Sequence, residues 1–269
     1  MVVTRASVYM MGSLDSIQGE SSKALLEAQS HLWNHTFSFI NSMALKCAVE
    51  LGIPDIIHKH NKPITLSDLS SALSIPQSKT PHLRRLMSLL AHSKFFTEEE
   101  EEVFSLTTIS EILVKERRTS LSPFVLLMLD PRLLKPWHSL SSWFTRAEPP
   151  TAFELAHRTP IWEAFGQAAE FNEMMNEGMS SDAGFTAELV VRDCGEVFRG
   201  LSSLVDVGGG TGTLARAIAD AFPAIKCTVL DLPRVVERLK ESTRVHFVGG
   251  DLFDYVPPAD ATLLKVIES

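Results

Sequence analysis

The feature that most constrains this chain is a glycine-rich segment in its C-terminal third. A buried-type strand at Leu204–Val207 leads into the turn GGGTG at 208–212, and the residues that follow place their apolar members on one face of a helix. A second strand at Cys227–Leu230 is closed by Asp231. This order predicts a βαβ unit in which the glycine turn lies where a nucleotide-like ligand meets a helix N-terminus.

Two ligand classes fit such a turn. Gly210, Gly212 and Ala215 satisfy the G-x-G-x-x-G/A spacing of dinucleotide sites, so the glycines alone leave NAD(P) open. However, Asp206 lies inside the strand before the turn, and a second acidic turn, GGDLF, follows at 249–253. Several carboxylates suit S-adenosylmethionine (SAM), a cation without a pyrophosphate, and would repel a dinucleotide. The charge pattern therefore favours SAM.

The N-terminal half has the pattern of a winged helix. Apolar residues spaced three and four apart over 33–51 predict a helix that packs against its own domain or against a second copy of the chain. Residues 54–106 then read as helices followed by a hairpin. The third helix carries Arg84 and Arg85, but the wing Glu98–Glu102 would repel phosphates. We therefore expect a packing or dimerisation module rather than a DNA-binding regulator.

Composition supports this organisation. A chain of 269 residues is long enough for two domains at roughly 150 residues each. Its net charge of −8 gives no bulk attraction to nucleic acid or anionic membranes. Three widely spaced cysteines form neither a disulfide framework nor a zinc cluster, so no metal is expected. No apolar stretch reaches the length of a spanning helix, and a cytoplasmic protein is expected.

The motifs VDVGGGTG, LDLPRVV, GGDLF and ADATLLK, in that order, follow the winged-helix segment FINSMALKCAVELGIPDIIHKH and the mid-chain FNEMMNEGMSSD. Together they closely resemble the plant small-molecule O-methyltransferases, and most of all the stilbene, flavonoid and isoflavone enzymes. The resemblance covers about residues 23–265. It implies a mainly α winged-helix-like dimerisation domain and an α/β Rossmann-like SAM-methyltransferase domain. We expect a disordered extension at 1–22, the dimerisation domain at 23–115 and the methyltransferase domain at 116–269.

The resemblance also assigns roles to residues. It implies that the glycine turn contacts the methionine part of SAM, that the end of the second strand binds the ribose, that the GGD turn holds the adenine and that the lysine of LLK approaches the cofactor. The corresponding residues are Gly208, Gly210 and Gly212 for methionine, Asp231 and Leu232 for ribose, Asp251, Leu252 and Phe253 for adenine, and Lys265. The candidates for clamping a phenolic substrate are Met128, Trp162, Phe165 and Met179.

The sequence departs from the family at its catalytic base. The family histidine is expected four residues beyond Lys265, where this chain has Ser269, and so no catalytic residue is assigned. The family sheet has seven strands, of which the sequence predicts four, so the sheet is expected to be incomplete. We therefore expect a C-terminally truncated and inactive member of the family. The alternative function is a non-catalytic dimerisation partner of the full-length enzyme. The expected partners are a small phenolic substrate and either a second copy, bound through the N-terminal helices, or the full-length enzyme.

Overall fold

The computed structural model describes residues 20–237, 239 and 244–265. The first part is helical with a small sheet. Its helices are α1 Glu20–Leu51, α2 Ile53–His60, α3 Leu66–Ala72, α4 Thr80–His92 and α5 Thr108–Glu111, and its strands are β1 Ile64–Thr65, β2 Phe96–Glu100 and β3 Val103–Leu106. The middle is helical, with α6 Ser122–Met128, α7 Pro131–Leu134, α8 Leu140–Phe144, α9 Ala152–His157, α10 Ile161–Gln167 and α11 Ala169–Asp193.

The last part alternates strands and helices. These elements are β4 Ser203–Val207, α12 Thr213–Ala221, β5 Lys226–Asp231, α13 Pro233–Val236, β6 Val245–Gly249 and β7 Ala261–Leu264. Short 3-10 turns occupy Gln77–Lys79, Lys135–Ser139 and Gly195–Phe198. The four strands pair in the order β6-β5-β4-β7, and every pairing is parallel. The predicted Rossmann-like sheet is therefore confirmed.

The N-terminal domain has the predicted winged-helix order, with α2, α3 and α4 followed by the β2–β3 hairpin. Its three-stranded sheet has the order β1-β3-β2, and Leu69, Met87 and Phe104 are fully buried in a single core. One detail differs from the sequence prediction, because β2 runs on through Glu100 instead of ending before the glutamates. The strand glutamates Glu98, Glu99 and Glu100 are exposed, so their charges are tolerated in a strand, and Arg84 pairs with Glu101 and Glu102 in the turn that follows.

Helix α1 is longer than the apolar spacing predicts. It begins at Glu20, so residues 20–22, which the sequence assigns to a disordered extension, are helical; residues 1–19 of that extension lie outside the described residues. Only the C-terminal half packs within this chain, where Ala44, Ala48 and Val49 are buried. Trp33 and Phe37 are 39% and 41% exposed. Half of the apolar stripe is therefore left uncovered by the residues that the structure describes.

Strand β7 is fixed beside β4 by a polar clamp at its start. The Asp260 carboxylate accepts hydrogen bonds from the Ser202 hydroxyl at 2.6 Å and from the amides of Ser202 and Ser203 at 2.8 and 3.0 Å. These bonds, led by that of the Ser202 hydroxyl, lower the pKa of Asp260 to about 2. The clamp lies at the amino ends of β4 and β7 and thus sets the register of their carboxyl ends.

Candidate cofactor and substrate site

The glycine turn joins β4 to α12 at the carboxyl edge of the sheet. Gly208, Gly210 and Gly212 have φ values of +65°, +56° and +78°, in the left-handed region that favours glycine. A Cβ at Gly212 would approach the Phe247 ring to 3.1 Å, whereas a Cβ at Gly210 would meet nothing within 4 Å. The turn is therefore packed on the sheet at Gly212 and open at Gly210.

Asp231 connects this turn to its neighbours. One carboxylate oxygen accepts a hydrogen bond from the Gly210 amide at 2.8 Å, and the other accepts one from the Leu232 amide at 2.7 Å. Its backbone carbonyl accepts a hydrogen bond from the Gly250 amide at 3.0 Å, at the start of the second acidic turn. Each carboxylate oxygen can accept a further bond. Asp231 can thus bind a diol while it holds the surrounding turns in place.

The other predicted cofactor residues lie at the same edge. In the second acidic turn the Asp251 carboxylate accepts a hydrogen bond from the Phe253 amide at 2.9 Å, Leu252 packs against the core around Val205, and Phe253 is exposed. Lys265 follows β7 and forms an ion pair with Asp182 of α11. The parallel topology therefore brings all nine predicted cofactor residues to one edge of the sheet.

Helix α11 covers this edge through contacts that the sequence did not predict. Besides the Asp182–Lys265 pair, the Ser180 hydroxyl lies 3.0 Å from the Thr213 hydroxyl at the first residue of α12. The buried Ser181 hydroxyl between them has no hydrogen-bond partner. The sequence signal was the SSD triplet within FNEMMNEGMSSD, but the partners lie 33 and 83 residues further along the chain.

Asp206 lies beneath the glycine turn. It is 2% exposed, and its Oδ2 has no hydrogen-bond partner. Burial, the largest cause, raises the pKa of Asp206 to about 6; the nearby Asp231 also raises it, while a hydrogen bond with the Ala215 backbone and the charge of Lys265 lower it. Ser181 Oγ and Asp206 Oδ2 are the buried side-chain atoms without a partner in the described part of the chain. Asp206 Oδ2 lies beneath Gly209 of the turn, and Ser181 lies on α11 between Ser180, which contacts Thr213, and Asp182, which pairs with Lys265.

The four predicted substrate residues lie on α11 or on the helices α6 and α10, which pack against it. Trp162 and Phe165 share α10 with ring centroids 5.8 Å apart; Trp162 is 53% exposed, whereas Phe165 is buried against Phe171 of α11. Met128 ends α6, and Met179 is half-buried on α11. They follow Leu127 and Gly178, which pack so closely that a Cβ on Gly178 would lie 2.7 Å from Leu127. Helix α11 therefore links these residues to the sheet edge.

Other features of the chain do not compete with this site. A cavity of about 570 Å³ lies in the N-terminal domain, bordered by Ser70, Thr80 and Arg84. Arg84, a candidate DNA contact, instead binds Glu102 at 2.6 Å and Glu101 at 3.1 Å. Within the described residues, no cluster of three metal-ligating side chains occurs, and no helix is both long and apolar enough to cross a bilayer. The Ser269 position lies outside the described residues.

Comparison with known proteins decides between the ligand classes. Residues 33–116 match the O-methyltransferase dimerisation domain, and residues 137–268 match the O-methyltransferase domain. The chain belongs to the O-methyltransferase family. It is therefore a SAM-dependent O-methyltransferase by family, and its cofactor is SAM rather than NAD(P).

Individual relatives agree with this assignment. The chain is 47% identical to trans-resveratrol di-O-methyltransferase of Vitis vinifera, over 94% of this chain and 72% of the relative. It is 48% identical to 8-hydroxyquercetin 8-O-methyltransferase of Mentha piperita, over 92% of this chain and 71% of the relative. The structure of mitomycin 7-O-methyltransferase superposes with a TM-score of 0.65 at 27% identity, covering 93% of this chain and 73% of that one. The plant phenolic enzymes are thus its sequence relatives.

Proposed function

We propose that this protein acts as a methyltransferase that transfers a methyl group from SAM to a phenolic hydroxyl of a stilbene, flavonoid or isoflavone. The observation that carries the proposal is the Asp231 carboxylate, which fastens an open glycine turn and keeps acceptor capacity for a diol. Family membership and two relatives named for a stilbene and a flavonoid support the reaction and the substrate class.

We assign the cofactor contacts accordingly. Bound SAM would supply, on its sulfonium sulfur, the electrophilic methyl group that is transferred to the phenolic oxygen. The chain's own residues orient the donor. The assigned contacts are Gly208, Gly210 and Gly212 for the methionine part, Asp231 and Leu232 for the ribose, Asp251, Leu252 and Phe253 for the adenine, and Lys265 beside them. The carboxylates among them also suit a cationic donor.

The solvent exposure of the four predicted substrate residues indicates how each could contact a phenol. Trp162 and Met128 are 53% and 37% exposed, so they have free surface with which to touch a planar ring. Phe165 is buried and supports Trp162 from within the aromatic cluster. Met179 adds a half-buried, adaptable side chain on α11. We propose that these four side chains form the wall against which the phenol is held.

The site is tested by calorimetric titration of SAM into the wild type and Asp231→Ala. We expect Asp231→Ala to weaken SAM binding about tenfold or more, because hydrogen bonds to a charged group are worth about 1.5–3 kcal/mol. The control is Asp254→Ala, which removes an exposed carboxylate at the same edge and should leave the affinity unchanged. Equal loss in both variants would contradict the assignment of Asp231.

Turnover is tested with labelled SAM and resveratrol-like or flavonoid phenols. Transfer of the label to any of these phenols would support the proposed reaction. A protein that binds SAM but methylates none of these phenols would contradict the proposed substrate class.

The uncovered stripe of α1 favours self-association as part of this function. Trp33, Phe37 and Ile40 are about 40% exposed in a region that matches the dimerisation domain of the family. We infer that a second copy covers them. Pairing with a full-length homologue through the same face is the alternative, and the cytoplasmic location remains a prediction from the sequence.

A further inference from the structure

The candidate for a further role is Asp206, the buried carboxyl beneath the glycine turn. It faces the turn closely, because a Cβ on Gly209 would lie 2.7 Å from its Cγ and Oδ2. Its neighbours in the sheet are apolar, with Val229 of β5 and Leu263 of β7 in register on either side. No hydrogen-bond partner satisfies Oδ2. A buried carboxylate of this kind is stabilised mainly by whatever charge is brought to the turn.

The charged groups around Asp206 do not fully neutralise the negative charge of its carboxylate. Asp231 of β5 repels its ionised form, and Lys265 beyond β7 attracts it. However, the Lys265 ammonium is already paired with Asp182 of α11, so its charge is shared. On α12, the Arg216 guanidinium lies over the Phe247 ring and also donates a hydrogen bond to the Thr211 carbonyl of the turn at 3.4 Å. Cys227 of β5 has its pKa raised to about 11, chiefly by burial, and is an uncharged neighbour.

The local charge therefore favours a cation at the turn. By formal charge, the three carboxyl groups Asp182, Asp206 and Asp231 and the two cations Lys265 and Arg216 sum to about −1. SAM carries a sulfonium, an ammonium and a carboxylate, so its net charge is positive. S-adenosylhomocysteine, the product of methyl transfer, has a neutral sulfur and no net charge. Protonation of Asp206 would remove one of the charges that distinguish these two ligands.

We propose that Asp206 determines ligand specificity at the turn: its ionised carboxylate favours the sulfonium of SAM over the neutral thioether of S-adenosylhomocysteine, and this preference weakens when the carboxyl is protonated. The inference rests on the proposed placement of SAM at this turn. It gives the site a means of releasing the product in preference to the donor, without a change in the shape of the glycine turn.

The test is calorimetric titration of SAM and S-adenosylhomocysteine into the full 269-residue chain at pH 5, 6 and 7, where the α-amino groups of both ligands stay mostly protonated. We expect the ratio of the two dissociation constants to shift toward SAM by about fivefold or more between pH 5 and pH 7, in the range of ordinary coupling between sites. At pH 6, SAM binding should also release more protons than S-adenosylhomocysteine binding, measured by comparing buffers of different ionisation enthalpy.

Asp206→Asn is the decisive variant, because the amide has nearly the shape of the protonated carboxyl. In this variant the ratio of the dissociation constants of SAM and S-adenosylhomocysteine should not change with pH. It should stay near the value that the wild type has at pH 5. The matched control is Asp220→Asn on the same domain, where the side chain is 81% exposed, and it should keep the wild-type pH dependence. Circular dichroism shows whether each variant is folded. Sinefungin carries an amine in place of the sulfonium, and its affinity should show the same pH dependence as that of SAM.

The outcomes separate this inference from the proposed function. A wild type that binds neither ligand would contradict the proposed cofactor site, and the inference would be overturned with it. Binding of both ligands with a ratio that does not change with pH, or a pH dependence that persists in Asp206→Asn, would overturn the role of Asp206 alone. If Asp206→Asn is unfolded, two measurements on the wild type still test the role of Asp206: the pH dependence of the ratio of dissociation constants, and the proton release on binding.

Discussion

At the scale of single residues, Asp206 also links the stability of the fold to pH. A carboxyl whose pKa is raised from 3.8 to about 6 stabilises the folded state below pH 3.8, and that contribution is lost as the pH rises through about 6. The full difference corresponds to about 3 kcal/mol. We therefore expect the stability of Asp206→Asn relative to the wild type to rise by up to that amount between pH 4 and pH 7, measured by urea unfolding.

The comparison is made between variants because other carboxyl groups titrate in the same range. Asp220→Asn should follow the wild-type curve within experimental error, since its side chain is largely in solvent. A constant difference between wild type and Asp206→Asn over this pH range would show that Asp206 does not titrate as inferred.

Residue spacing predicts part of the site well. The glycine turn and Asp231 lie within one βαβ unit, where chain order fixes which side chains share an edge. Spacing does not predict the pairing of Asp182 with Lys265, because 83 residues separate them and only the packing of α11 on the sheet brings them together. Spacing also does not predict that Asp206 Oδ2 lacks a hydrogen-bond partner among the described residues, because that depends on which side chains pack around it.

At the scale of elements, the packing of α11 on α6 depends on one glycine. A Cβ on Gly178 would lie 2.7 Å from Leu127 Cδ2 and 3.2 Å from the Pro123 carbonyl oxygen, so the two helices would have to separate. We expect Gly178→Ala to destabilise the fold by about 1–3 kcal/mol, as overpacking does. Thermal and urea unfolding provide the measurement.

Gly184 is the matched control on the same helix. A Cβ there would only reach ordinary contact with Thr213 at 4.0 Å, so Gly184→Ala should be neutral or stabilising by up to about 1 kcal/mol through helix propensity. Equal effects of the two substitutions would mean that close approach at Gly178 does not limit the packing.

The Asp182–Lys265 pair ties α11 to β7. Both side chains are only about one fifth exposed, so removing one partner leaves a poorly solvated charge. We expect Asp182→Asn and Lys265→Met each to destabilise the fold, and the double variant to be less harmful than their sum by about 1–3 kcal/mol. A double-mutant cycle from urea unfolding measures this coupling; additive effects would show that the pair contributes nothing to stability.

Helices and strands were largely predictable, and their ends were less so. Periodicity located the strands on both sides of the glycine turn, because buried strands and amphipathic helices have distinct patterns. The sequence predicts a connection for the glutamate run, yet Glu98 and Glu100 pair with β3 across the hairpin. Tertiary context explains the difference, since backbone pairing to β3 outweighs the poor strand propensity of glutamate.

At the scale of the whole molecule, the exposed half of α1 predicts an oligomer. We expect the double substitution Phe37→Glu and Ile40→Glu to convert a dimer to a monomer, because it places two charges on an apolar face that a second copy would bury. Light scattering coupled to size-exclusion chromatography measures the mass. Val197→Glu, which adds a charge at an exposed apolar position outside α1, should leave the mass unchanged.

A wild type that is monomeric at micromolar concentration would contradict this prediction. The apolar stripe itself was visible in the sequence, but the sequence left open whether the chain's own domain or a second copy covers it. Among the described residues, α4 and α6 pack on α1, and the buried residues of α1 all lie in its C-terminal half, whereas Trp33, Phe37 and Ile40 are exposed; this favours a second copy as the cover.

The contacts of Asp231 have a kinetic consequence. This one residue joins the glycine turn, the start of α13 and the second acidic turn through its own side chain and backbone. The conformational entropy of those loops is therefore lost when the chain folds and not again when a ligand arrives. Association should then be governed by diffusion and by the charge of the ligand, with a rate that falls as ionic strength rises, rather than by a slow rearrangement of the loops.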